Sequence, residues 1–155
     1  MNIKISWDRI ELRKTKSDEF EIDGLKNYEG VPGVYIFCRE YNGILNPVYV
    51  GKGKDIARRL CRNQQMNNHK LLKGIEQSGN GEKVLYIGKL SCKGDVIDKC
   101  LRVTEKALIE YAIELGYALL NINGVKEKSH TISFTGDIKI KSFTGNTMTR
   151  RTKLD

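Results

Sequence analysis

The chain has 155 residues, 39% of them hydrophobic and 30% charged, with 15 glycines, 2 prolines and a formal net charge of +8. That length suits one compact domain with modest extensions, and the composition excludes fibrous and bulk-disordered chains. No apolar run is long enough to span a bilayer and the start of the chain lacks the apolar stretch of a signal peptide, so the expectation is a cytoplasmic protein with no membrane partner.

Lys4 to Leu12 roughly alternates apolar and polar residues and predicts an edge strand or extended arm, within an N-terminal extension over residues 1–30. The turn signal Gly30-Val31-Pro32-Gly33 opens the expected core domain, residues 31–124. Val34 to Cys38 and Pro47 to Val50 read as two short strands, and Asn42-Gly43 between them predicts an antiparallel hairpin. Alternation puts Tyr35 and Phe37 on one face, and Tyr49 and Gly51 on the face opposite Val48 and Val50, so the two tyrosines can share a face.

Asp55 is a good N-cap for a helix starting at Ile56. At helical spacing Ile56, Leu60 and Asn63 form a stripe with Arg59 at its edge, while Arg58 and Arg62 fall on the other side. A second helix is expected over residues 68–77, a third strand over Lys83 to Leu90, and a long helix from about Val96 to Leu115, stopped near Gly116. The fold class is therefore α+β, a small three-stranded antiparallel sheet packed by helices in the order β-β-α-α-β-α. Residues 125–155 form a basic extension. There Ser133-Phe134-Thr135-Gly136 is echoed by Ser142-Phe143-Thr144-Gly145, which suggests an appended hairpin ending in Arg150, Arg151 and Lys153.

Charge is unevenly spread: −1 over residues 1–31, +5 over 32–124 and +4 over 125–155. It is concentrated in Lys52, Lys54, Arg58, Arg59, Arg62, Lys70 and Lys73, a stretch whose only acid is Asp55. Such a cluster favours a polyanion through counterion release, and a solvated basic face is the plainer alternative. The cysteines Cys38, Cys61, Cys92 and Cys100 lack CxxC spacing and the only histidines are His69 and His130, which argues for reduced thiols and against structural zinc.

Glu105 is the most informative acid. On the long helix Leu101, Leu108, Ile109, Ala112, Ile113 and Leu115 cluster on one face with Glu105 near its middle, whereas Glu110 and Glu114 lie opposite. An ionised carboxylate on an apolar stripe needs a cation, either a metal or an ion-pair partner such as Arg59.

Gly33-Val34-Tyr35, then Tyr49-Val50-Gly51-Lys52, Arg59 ten residues after the second tyrosine, and Glu105-Lys106-Ala107-Leu108-Ile109 ending in Asn121 together resemble the GIY-YIG nuclease family over about residues 31–124. The resemblance implies a DNA endonuclease of restriction, repair or mobile-element type, using Mg2+ with Mn2+ as substitute; homodimerisation is one way to cut both strands. In it Tyr35 is the general base or part of a proton relay, and Tyr49 orients water or phosphate. Arg59 clamps the scissile phosphate, Glu105 holds the cation, Asn121 braces the site, and Lys52 is placed to lower a tyrosine pKa. Lys54, Arg58, Arg62, Lys70 and Lys73 would contact nucleic acid. Three departures stand out. The loop between the tyrosines is longer than usual, Asn123 competes with Asn121, and Asn63 sits where many relatives have a histidine, a role His69 could take from farther along. Tyr86-Ile87-Gly88-Lys89 spells the second motif more literally, but Val96 stands where its arginine should be. A catalytically inactive nucleic-acid-binding module is the alternative reading.

Overall fold

The computed structural model describes residues 2–14, 20–65, 74–92, 94–123, 127–133 and 147–153. They fall into two compact units, residues 1–120 and 121–155. The first is an α+β unit built on a five-stranded antiparallel sheet: β1 (Lys4–Lys14), β2 (Phe20–Ile22), β3 (Gly33–Tyr41), β4 (Ile44–Gly53) and β5 (Glu82–Ser91), in the spatial order β2-β1-β5-β3-β4.

The sheet thus has two strands more than the three expected. β1 is not an edge: it pairs with β5 from Lys4↔Ser91 to Glu11↔Val84, and β2 covers part of its other side. The alternation of Lys4 to Leu12 marked a strand, but alternation carries no information about which strand it joins. β2 has only three residues, too few for any period to be read.

β3 and β4 run past their expected ends and meet at Asn42-Gly43, both with positive φ (51° and 74°), the geometry of a tight primed turn. The register slips between Phe37 and Cys38, where Tyr49 and Pro47 are their respective partners and Val48 is extra. Pro47 has no N–H to donate, which an edge strand with a bulge tolerates. The bulge also corrects the face assignment of Val48, which joins the cluster of Tyr35 and Phe37, while Val50 stays opposite.

One face of the sheet carries Tyr35, Phe37, Leu85 and Ile87 beneath α1 (Ile56–Gln65), whose Ile56, Ala57 and Leu60 are buried. The start of α1 is fixed as expected: Asp55 Oδ1 accepts from the Arg58 N–H at 3.0 Å. Of the second expected helix, residues 74–76 are helical and a turn follows, with buried Ile75 in the same cluster. Its earlier part lies outside the described residues.

The other face packs against α2 (Ile97–Glu114), where Leu108, Ile109 and Ala112 meet Ile36 and Val50, and Leu101 and Cys100 meet Leu90. Leu115, expected on this apolar face, lies past the last turn and is exposed. Val96, expected to open the helix, belongs to the preceding 3-10 turn Gly94–Val96. The second unit contains the antiparallel pair β6 (Glu127–Ser133) and β7 (Thr147–Lys153), with Arg150 and Arg151 opposite His130 and Ser129. The echoing tetrapeptides, Ser133 apart, lie outside the described residues. Among the described residues no helix is long and apolar enough to cross a membrane.

Candidate active site

The register of the hairpin places the two tyrosines. Tyr35 lies opposite Gly51 and Phe37 opposite Tyr49, so both phenols share the α1 face, their ring centroids 6.2 Å apart. Tyr35 is 0% exposed. Room for its ring comes from Gly51: a β-carbon there would lie 2.5 Å from the Tyr35 hydroxyl oxygen and 2.7 Å from its Cε2. Tyr49 is half-buried beside it.

Arg59 projects from α1 toward this pair. It is exposed overall, yet its guanidinium donates a hydrogen bond to the Tyr35 hydroxyl. Partial burial opposes its charge, but Tyr35, Tyr49 and Glu105 together outweigh that and raise its pKa. Arg58, one residue earlier, points to solvent.

Alternation along β4 sends Lys52 to the opposite face with Val50, where α2 packs. There Lys52 Nζ forms an ion pair with Glu105 Oε2. The Glu105 side chain is 22% exposed and that of Lys52 34%, whereas the Glu110 side chain is 58% exposed and pairs with Lys106 at 3.6 Å. Because β4 is the last strand of the sheet, side chains from its two faces can meet around its outer edge. The charge of Glu105, on one face, is felt by Arg59, on the other, as the smallest of the influences that raise the Arg59 pKa.

Of the remaining residues singled out, Lys54 is ion-paired with Asp98 at 2.7 Å, and Arg62 continues α1. Lys70, Lys73 and His69 lie outside the described residues. Asn121 and Asn123 share the 3-10 turn Leu120–Asn123, and Asn121, half-buried, opens the second unit. Tyr86 is an ordinary strand residue whose hydroxyl oxygen accepts from the Arg9 guanidinium at 3.3 Å, on the face opposite Tyr35. Sequence reasoning missed two things: that Glu105 pairs with Lys52 while Arg59 holds Tyr35, and that Gly51 is the seat of the Tyr35 ring. The second had a signal, since a glycine inside a strand often marks close approach of another group.

Among the described residues no three His, Cys, Asp or Glu side chains converge. Glu105 is a carboxylate whose charge is felt by Arg59, and its place beside an ammonium shows that the spot accommodates positive charge. One hard oxygen donor suits a magnesium ion that keeps several waters. No family model, curated protein or solved structure matches the chain.

Proposed function

We propose that this chain is a magnesium-dependent endonuclease of the GIY-YIG type, hydrolysing DNA phosphodiester bonds in a restriction, repair or mobile-element setting. One observation carries the reading: two phenols and a guanidinium, from β3, β4 and α1, gather on one face of the sheet, and the α2 carboxylate on the other face is close enough for its charge to be felt by that guanidinium. A merely structural Lys52–Glu105 pair would need neither a guanidinium held on a buried phenol nor a second phenol beside it.

Phosphodiester hydrolysis needs an activated water, positive charge around the phosphate oxygens, and a proton for the leaving oxygen. Arg59 can present guanidinium N–H groups to a phosphate oxygen while another holds Tyr35. The burial of Tyr35 favours the relay role over direct attack on water: it positions Arg59 and can pass a proton toward Tyr49, the phenol that solvent reaches. Glu105 would hold magnesium, which when bound supplies charge to the phosphate oxygens. Lys52 would balance Glu105 in the absence of the ion and sit beside the phosphate in its presence. Arg58 and Lys54 extend the basic surface along the substrate.

The test is incubation with supercoiled plasmid and with branched duplexes, in magnesium, manganese or chelator. Wild type is compared with Glu105→Ala, Arg59→Ala, Tyr49→Phe and Tyr35→Phe. Cleavage that needs the cation and falls by about 10²-fold or more in Glu105→Ala and Arg59→Ala is expected. Equal cleavage by wild type and Glu105→Ala would remove the metal site from the proposal. Binding without cleavage on every substrate would leave an inactive nucleic-acid-binding module.

A further inference from the structure

Where β5 gives way to α2, Cys92 Sγ and Cys100 Sγ lie 3.2 Å apart. Cys92 follows the last residue of β5 and is half-buried; Cys100 ends the first turn of α2 and is 1% exposed. Both belong to an apolar cluster with Leu90, Ile97 and Leu101 that holds the strand end against the helix. A disulfide has its sulfurs about 2.05 Å apart, so closing this gap takes a shift of about 1.2 Å, within reach of side-chain rotation. The other two cysteines, buried Cys38 and exposed Cys61, lie on β3 and α1.

We propose that Cys92 and Cys100 are a reversible oxidation site, closed to a disulfide by small-molecule disulfides of the oxidised-glutathione class, which staples the end of β5 to the first turn of α2. The half-buried Cys92 meets the oxidant first. Its thiolate, after loss of the proton to solvent, attacks one sulfur of the small disulfide and expels a thiolate. Cys100 then loses its proton to solvent, and its thiolate attacks the Cys92 sulfur of the mixed disulfide and expels the second small thiolate. Two protein thiols are oxidised and one small disulfide is reduced to two thiols, so electrons and atoms balance. The hydrogen bond with Cys92 raises the pKa of Cys100. The proposal stands apart from the nuclease reading, though the stapled helix is the one that carries Glu105.

The experiment exposes the full chain to oxidised glutathione across a range of redox ratios, quenches with acid, and counts alkylatable thiols by intact mass and peptide mapping. Wild type and Cys61→Ser should each lose two thiols, with Cys92 and Cys100 recovered in one cross-linked peptide. The oxidised protein should melt about 5 °C higher, an increase that dithiothreitol erases. Cys92→Ser and Cys100→Ser should show neither change, and Cys92→Ser, at a half-exposed position, serves if Cys100→Ser fails to fold. The proposal is overturned by retention of all four thiols, by a stable glutathione adduct on Cys92 without a bridge, or by a bridge mapping to Cys38 or Cys61.

Discussion

The phenol end of Tyr35 occupies the space that a side chain at residue 51 would need, and this makes Gly51 a tightly constrained position beside the proposed site. Gly51→Ala forces either the ring or β4 to move, an overpacking cost of about 2 kcal/mol. A lower urea midpoint with unchanged m-value is the expected result, together with loss of any activity that depends on the Tyr35–Arg59 contact; an unaltered midpoint would mean that the ring has another place to go. A second residue-scale prediction concerns Tyr28, whose hydroxyl donates to Asp8 Oδ2 at 2.9 Å. Burial, and then Asp8, push its pKa up to about 12 from the ordinary 10. A tyrosine is neutral when protonated, so a raised folded pKa contributes stability that is complete below pH 10 and disappears as pH rises through 12. Ultraviolet titration should find a late-ionising phenol that is lost in Tyr28→Phe, and that variant should lose less stability between pH 10 and 12 than wild type does. Identical alkaline unfolding of the two proteins would refute the assignment.

At the scale of elements, the end of α2 is the clearest case of local sequence dictating structure. Gly116 has φ of 85°, its N–H reaches the Ile113 carbonyl at 2.9 Å, and the Tyr117 N–H reaches the Ala112 carbonyl at 3.0 Å. These are the two hydrogen bonds of a Schellman stop, and Tyr117 folds back onto the cluster containing Ala112. Gly116→Ala should cost about 1 kcal/mol, because an L side chain is strained there, and Gly116→Asn should cost less. Thermal melts of the two variants decide it, and an alanine variant as stable as wild type would count against the left-handed cap. The same clarity holds for the Asp55 cap and the Asn42-Gly43 turn, where a residue type is tied to a backbone angle. It fails for Leu115, because helical periodicity continues on paper past the residue at which the chain turns away. It fails too for Val48, since a bulge changes the face of a residue without changing its character.

For the molecule as a whole, what could be read in advance was local and what could not was pairing. Tyr35 and Tyr49 could be put on one face from strand period, and Glu105 chosen over Glu110 from helix period, because each rests on one element's geometry. That Lys52 rather than Arg59 takes the Glu105 carboxylate depends on which face of an edge strand meets which helix, a tertiary fact that no single period encodes. The place of β1 is of the same kind. β1 lies between β5 and β2, with eight residues, Lys4 to Glu11, in register with β5. Its Ile10 and Leu12 pack into the cluster of Tyr35, and its Ile5 into that of Cys100. Removing residues 1–14 would therefore bare the backbone of β5 and open both apolar layers at once, and an unpaired apolar strand edge invites association with other chains. A chain beginning after residue 14 should purify as aggregates, or as a species without a cooperative urea transition. Size-exclusion chromatography and circular dichroism would register this, and a monomer that unfolds cooperatively at the wild-type midpoint would show β1 to be dispensable. If instead the truncated chain stays monomeric with a lowered midpoint, β1 stabilises the sheet without being required for it, and the β5-β3-β4 strands with their two helices are the smaller folding unit.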